Sequence, residues 1–139
     1  MINVVLDTNV LVAAFRSRTG ASFQLLRLLG IGASFRPCLS VPLVLEYEMA
    51  LRRLADVDDA RITAVLDYLC QISELKEIFF LWRPFLSDPG DEMVLEVAVG
   101  GRAEVIVTHN LRDFAGVEDR FGIRVLSPAA FLIEIRGKS

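Results

Sequence analysis

The chain has 139 residues, 53% of them hydrophobic, with a mean hydropathy of +0.46, a net charge of -3 and a pI near 5.2. That length predicts a single domain over 1–139 with room for a real core, and apolar runs broken by charge well short of the roughly 18 residues of a membrane span exclude a transmembrane reading. The acidic balance argues against a surface generally built for nucleic acid, and the first apolar run, interrupted by Asp7, is no secretory signal, so a cytoplasmic protein is expected.

Taken in order, Ile2 to Leu6 is a nearly continuous apolar run, the pattern of a strand buried on both faces of a parallel sheet, and it ends on Asp7. Thr8 and Asn9 suit the cap of a short helix over 10–15. Arg16-Ser17-Arg18-Thr19-Gly20 breaks it, a second helical piece covers 21–29, and Gly30 and Gly32 close that piece. A strand over 35–41 leads into Pro42, a suitable first helical residue, and a helix over 43–54 that carries Glu46 in its first turns.

Asp56-Val57-Asp58-Asp59 caps a helix over 60–72, and Ile78 to Trp82 reads as a compact third strand. Ser87-Asp88-Pro89-Gly90-Asp91 is a turn before a helix over 92–100, ended by Gly100-Gly101. A fourth strand over 104–108, a loop with one helical turn over 109–114, a fifth strand over 123–126 and a closing helix over 128–135 complete the chain. Strands alternating with helices predict an α/β domain, a three-layer α/β/α sandwich on a central parallel sheet of four to five strands with right-handed crossovers.

Two distant cysteines, Cys38 and Cys70, suggest buried thiols rather than a zinc site or a disulfide framework. His109 is the only histidine, so a Ser-His-Asp or two-histidine mechanism is excluded, and its place beside a strand end suggests a solvent- or substrate-facing side chain.

The acids fall in a pattern. Asp7 follows the first strand, Glu46 the second, Asp88 and Asp91 the third, and Asn110 and Asp113 the fourth, all at the carboxyl edge of the predicted sheet. Singly, each has a plain structural reading: a helix cap at Asp7 or Asp91, a turn former at Asp88, a solvated helix acid paired with Arg53 at Glu46, a loop acid at Asp113. Jointly, carboxylates gathered at one edge repel one another unless a cation sits among them. A hard divalent ion, magnesium or manganese, takes such oxygen ligands.

Four stretches in order, Asp7-Thr8-Asn9-Val10-Leu11, Pro42-Leu43-Val44-Leu45-Glu46, Asp88 to Ala98, and Val105-Ile106-Val107-Thr108-His109-Asn110-Leu111-Arg112-Asp113-Phe114, resemble the motifs of the PIN-domain ribonucleases. The resemblance is strongest to the VapC-like toxins of bacterial type II toxin-antitoxin systems. It implies a PIN-like fold and a Mg2+- or Mn2+-dependent endoribonuclease, with Asp7, Glu46 and Asp91 on the family's first three acidic positions and holding the metal. At the fourth position, where the family pattern has Thr-x-Asp, this chain has Thr108-His109-Asn110; Asn110 can offer a neutral carbonyl, and Asp113 can supply the charge one helical turn later. Thr8, Asn9, Asp88 and Thr108 are expected to orient ligand carboxylates or meet substrate. The implied partners are RNA, a cognate antitoxin and a second copy of the chain.

Arg16, Arg18 and Arg112, on loops predicted to surround the acidic edge, could contact phosphates or be ordinary solvated arginines, and Arg52-Arg53 could contact an antitoxin or only water. Other readings fit less well. A phosphoacceptor receiver domain needs a lysine after its last strand, where this chain has Ser127-Pro128, and a haloacid-dehalogenase-type phosphatase needs a second Asp where Asn9 stands. The remaining alternative is a degenerate PIN-fold module that binds RNA or a protein without cutting, motivated by Asn110.

Overall fold

The computed structural model describes residues 1–29, 34–75 and 84–137. The strand predicted at 78–82 and the two closing glycines, Gly30 and Gly32, lie outside them. Five parallel strands form one sheet: β1 (Ile2–Leu6), β2 (Phe35–Leu39), β3 (Glu74–Leu75), β4 (Val105–Val107) and β5 (Arg124–Leu126), in the order β3-β2-β1-β4-β5. Around it lie α1 (Thr8–Arg16), α2 (Ala21–Leu29), α3 (Val41–Arg52), α4 (Asp59–Ile72), α5 (Pro89–Gly100), α6 (Val117–Phe121) and α7 (Pro128–Arg136). The α/β/α architecture is the one the alternation of elements predicts.

β1 takes the centre because its residues can stand burial on both faces: Val4, Val5 and Leu6 have at most 1% of their surface exposed. From β1 the chain builds outward through β2 to β3, then returns past the start to lay β4 on the other side of β1 and β5 beyond it. The direction of winding therefore reverses between β1 and β4. In an open parallel sheet the connections leave a crevice at such a point, outside the carboxyl ends of the strands.

Several helices begin earlier than the sequence pattern suggests. Asp7, rather than Thr8 or Asn9, is the N-cap of α1, its Oδ1 accepting from the Thr8 amide at 2.8 Å. Ser40 ends β2 and caps α3 by accepting from the Leu43 amide at 3.2 Å. Asp88 caps α5, accepting from the amides of Gly90 at 2.7 Å and Asp91 at 3.2 Å. Each of these three helices starts where an upstream side-chain oxygen can satisfy the orphan amides of its first turn, and Pro42 and Pro89 sit where no donor is needed. α6, in a stretch to which the sequence reading assigns no element, is a single short turn bracketed by Gly116 and Gly122 at φ +85 and +71. The two glycines, with five residues between them, supply the left-handed ends of the helix.

The core runs through Leu11, Leu25, Leu43, Leu95 and Ile106, all fully buried, with Phe35 and Phe131 edge to face at 5.2 Å between centroids. Burial of each such leucine stabilises the fold by about 1.5–3 kcal/mol. Cys38 is buried and Cys70 half-buried, and neither is in a disulfide. Among the described residues no helix is long and apolar enough to cross a membrane.

Candidate active site at the carboxyl edge of the sheet

Asp7 leaves β1 and Thr108 leaves β4, so the two meet where the winding reverses. Asp7 has 7% of its surface exposed and both its oxygens are engaged: Oδ1 by the Thr8 amide, Oδ2 by the Thr108 hydroxyl at 2.7 Å. Thr108 itself is fully buried and takes two more hydrogen bonds on Oγ1, from the Asn110 amide at 3.0 Å and the Asn9 side chain at 3.4 Å. Asn9 in turn accepts the His109 amide at 3.2 Å, and the His109 ring lies 2.8 Å from the hydroxyl of buried Ser22 on α2. A continuous polar chain thus ties α1, α2 and the loop after β4 to one carboxylate.

Burial is the main force on the Asp7 carboxyl and raises its pKa, the hydrogen bonds from Thr108 and Thr8 pull it back, and the charges of Asp113 and Asp88 raise it again. Asp91, half-buried in the first turn of α5, is pushed up to about 6 by burial and then by the charges of Asp7, Asp88 and Asp113. Four of the expected carboxylates, Asp7, Asp88, Asp91 and Asp113, therefore share one electrostatic field. Among the described residues none of the four is ion-paired with a basic side chain.

The other expected positions separate. Glu46 is half-buried on the second turn of α3, and its charge is not among those bearing on Asp7 or Asp91. Asn110 contributes its backbone amide to Thr108 while Asp113, in the 3-10 turn Leu111–Phe114, contributes the charge. Thr8 reaches Asp7 through its amide, and Asn9 acts on it only through Thr108. Arg16, Arg18 and Arg112 are exposed, and Arg52 is held by Glu48 at 3.3 Å and Asp59 at 2.8 Å.

Two residues of the edge escape the sequence reading. Tyr47, at the centre of the buried stripe Leu43, Tyr47, Leu51, donates its hydroxyl hydrogen to the Leu6 carbonyl. Glu92, next to Asp91, is 9% exposed and accepts from the amides of Phe85 at 3.0 Å and Leu86 at 2.9 Å, pinning the segment that leads into α5. The first looks like core and the second like a solvated helix acid, since neither pattern reveals a partner far away or in an irregular segment.

The donor set suits a hard divalent cation. Carboxylates held close by burial, with no basic partner among the described residues, are the arrangement such an ion relieves. Among the described residues no three acid, histidine or thiol side chains are gathered tightly enough to enclose an ion. An ion at this edge would rest on one or two carboxylates and keep several waters, a coordination that magnesium accepts.

A parallel α/β sheet with carboxylates collected at its winding reversal defines a class of site that presents oxygen ligands in the crevice outside the strand ends. Residues 3–112 match the model of the PIN domain, and the chain belongs to the PIN-domain family. Its fold is similar to VapBC2 from Rickettsia felis, solved bound to a DNA fragment from its promoter, at 16% identity and a TM-score of 0.59, over 91% of this chain and 98% of that one. It is also similar to VapBC-1 from nontypeable Haemophilus influenzae, at 15% identity and a TM-score of 0.58, over 93% and 99%. No curated protein matches the chain.

Proposed function

We propose that the chain is a Mg2+- or Mn2+-dependent endoribonuclease, the toxin of a toxin-antitoxin pair. The observation that carries this reading is the gathering of Asp7, Asp88, Asp91 and Asp113 into one acidic field at the sheet edge where the winding reverses, with Asp7 and Asp91 both raised chiefly by burial and the charge of Asp7 adding to the rise at Asp91. Asp7 and Asp91 would hold the cation, with Glu46 reaching it through water. When bound, the ion supplies positive charge against the oxygens of the scissile phosphate and acidifies a water molecule.

The chain's own groups prepare the site. Thr108 and Thr8 engage both oxygens of Asp7, favour its charged form and fix the direction in which it points. Asp88 holds the first turn of α5 and so the position of Asp91. Asp113 adds the negative charge that Asn110 lacks. In-line attack of water on phosphorus with departure of the 3′-oxygen yields a 5′-phosphate and a 3′-hydroxyl.

For the antitoxin, the support is the likeness to VapBC proteins together with an apolar groove of about 380 Å3 between α1, α2 and α4, lined by Ala14, Phe15, Leu26, Val65 and Leu69. For a second copy of the chain, the support is a row of exposed apolar residues on α3, Val41, Leu45 and Met49, at four-residue spacing.

The test is cleavage of a mixed single-stranded and structured RNA pool with Mg2+, Mn2+ or EDTA, comparing wild type with Asp7→Asn and Asp91→Asn. Metal-dependent cutting lost in both variants supports the reading. Folded wild type, freed of any co-purified partner, that binds RNA without cutting it under either metal would establish the non-cleaving module instead.

A further inference from the structure

We propose that Tyr47 is a positioning residue of the acidic edge: by donating its hydroxyl hydrogen to the Leu6 carbonyl, it fixes the turn of α3 that carries Glu46 against the end of β1 that carries Asp7. The role rests on the nuclease reading of that edge. Packing alone does not call for a tyrosine here. Leu43 and Leu51, one helical repeat to either side on the same stripe, are fully buried leucines, and Tyr47 is itself 1% exposed. A buried phenol needs a partner, and Tyr47 finds it in a main-chain carbonyl rather than another side chain.

That carbonyl is at a particular place. The pairing of β1 with β2 ends at Val4 and Pro37, so Leu6 lies two residues beyond the last pair on that side, immediately before Asp7. Leu6 stays paired with Val107 of β4, but on the β2 side, where the ladder has ended, a buried carbonyl needs a donor from elsewhere, and α3 provides one. Asp7 is then held on three sides: its amide by Val107 of β4 at 2.8 Å, its carboxylate by Thr108 and Thr8, and its preceding peptide by Tyr47. The residue next to Tyr47 is Glu46, the one expected acid whose charge does not bear on Asp7 or Asp91. The strut thus links that acid's helix directly to the Asp7 strand end.

The experiment compares wild type, Tyr47→Phe, which keeps the ring, and Ile62→Val, a mild core change on α4, which carries none of the edge acids. Three readouts are taken: Mn2+ affinity by calorimetry, kcat and KM for RNA cleavage, and hydrogen exchange of the Asp7 amide. Tyr47→Phe is expected to weaken Mn2+ binding and lower kcat by roughly ten- to a hundredfold, the range for groups that orient metal ligands, with KM unchanged and Asp7 exchange accelerated. Ile62→Val is expected to lower only stability. Tyr47→Phe binding Mn2+ and turning over like Ile62→Val, in an active wild type, overturns the positioning role. A wild type that neither binds Mn2+ nor cleaves overturns the nuclease reading itself and the site role with it, even where the exchange at Asp7 confirms the hydrogen bond.

Discussion

Thr108 and Asp7, 101 positions apart in the sequence, are joined by a hydrogen bond of 2.7 Å between a fully buried hydroxyl and a carboxylate almost as deeply buried. The bond spans β1 and β4, the strands between which the winding reverses, so the most buried acid of the edge is oriented by the neighbouring strand as well as by its own helix. Thr108 also accepts from Asn9 and from the Asn110 amide, which leaves its single hydrogen free for Asp7 alone.

Thr108→Val preserves the shape and removes that donor. The Asp7 carboxyl is expected to rise further, since the bond from Thr108 is the largest influence holding it down. Metal affinity and cleavage should fall about ten- to a hundredfold, and stability by about 1–3 kcal/mol because the amide of Asn110 loses its buried acceptor. Urea denaturation and cleavage kinetics on one preparation check both.

Asp91 sets a pH dependence with a definite sign. Its folded pKa of about 6 lies above the ordinary carboxyl value of about 4, so the folded chain binds this proton more tightly than the unfolded one. The stability linked to that proton is fully present below about pH 4 and is lost as pH rises through about 6. In EDTA, thermal denaturation should show wild type losing stability between those limits and Asp91→Asn losing less. Added Mn2+ should restore wild type at pH 7.5 by mass action and leave Asp91→Asn unaffected. A Tm of Asp91→Asn that tracks wild type across the range in EDTA would contradict the shared acidic field.

Asp113 and Asn110 should not be equivalent. Asp113 bears electrostatically on both Asp7 and Asp91, whereas Asn110 acts through its backbone amide. Asp113→Asn is expected to weaken Mn2+ binding roughly tenfold, and Asn110→Ala to weaken it less. Calorimetric titration of the two variants side by side decides it.

Glu92 is a fixed anchor rather than a solvated acid. Its carboxylate accepts three contacts from the amides of Phe85 and Leu86. Glu92→Gln, which keeps the size but replaces one acceptor by a donor facing those amides, should cost about 1–3 kcal/mol, read as a lower urea midpoint at unchanged slope.

What was legible from the residues alone is local physics. A run such as Ile2 to Leu6 announces a strand buried on both faces, and helical spacing places α2 and α4 within a residue or so of their true limits. Because strands alternate with helices, every acid that follows a strand must fall at one edge, which is why Asp7, Asp88, Asp91 and Asp113 could be gathered without coordinates. Helix starts at α1, α3 and α5 were displaced by two to three residues, since the capping oxygen belongs to the residue that also ends the preceding strand or turn.

Which acids act on which was decided only by the tertiary structure. The strand order that sets β4 beside β1 brings Thr108 to Asp7, draws Asp113 into the field in place of Asn110, and leaves Glu46 linked to Asp7 through Tyr47 rather than by its own charge. Periodicity and capping are properties of neighbouring residues. Contacts between residues 7 and 108, or 6 and 47, depend on how whole strands and helices are ordered and packed, and no local pattern encodes that order.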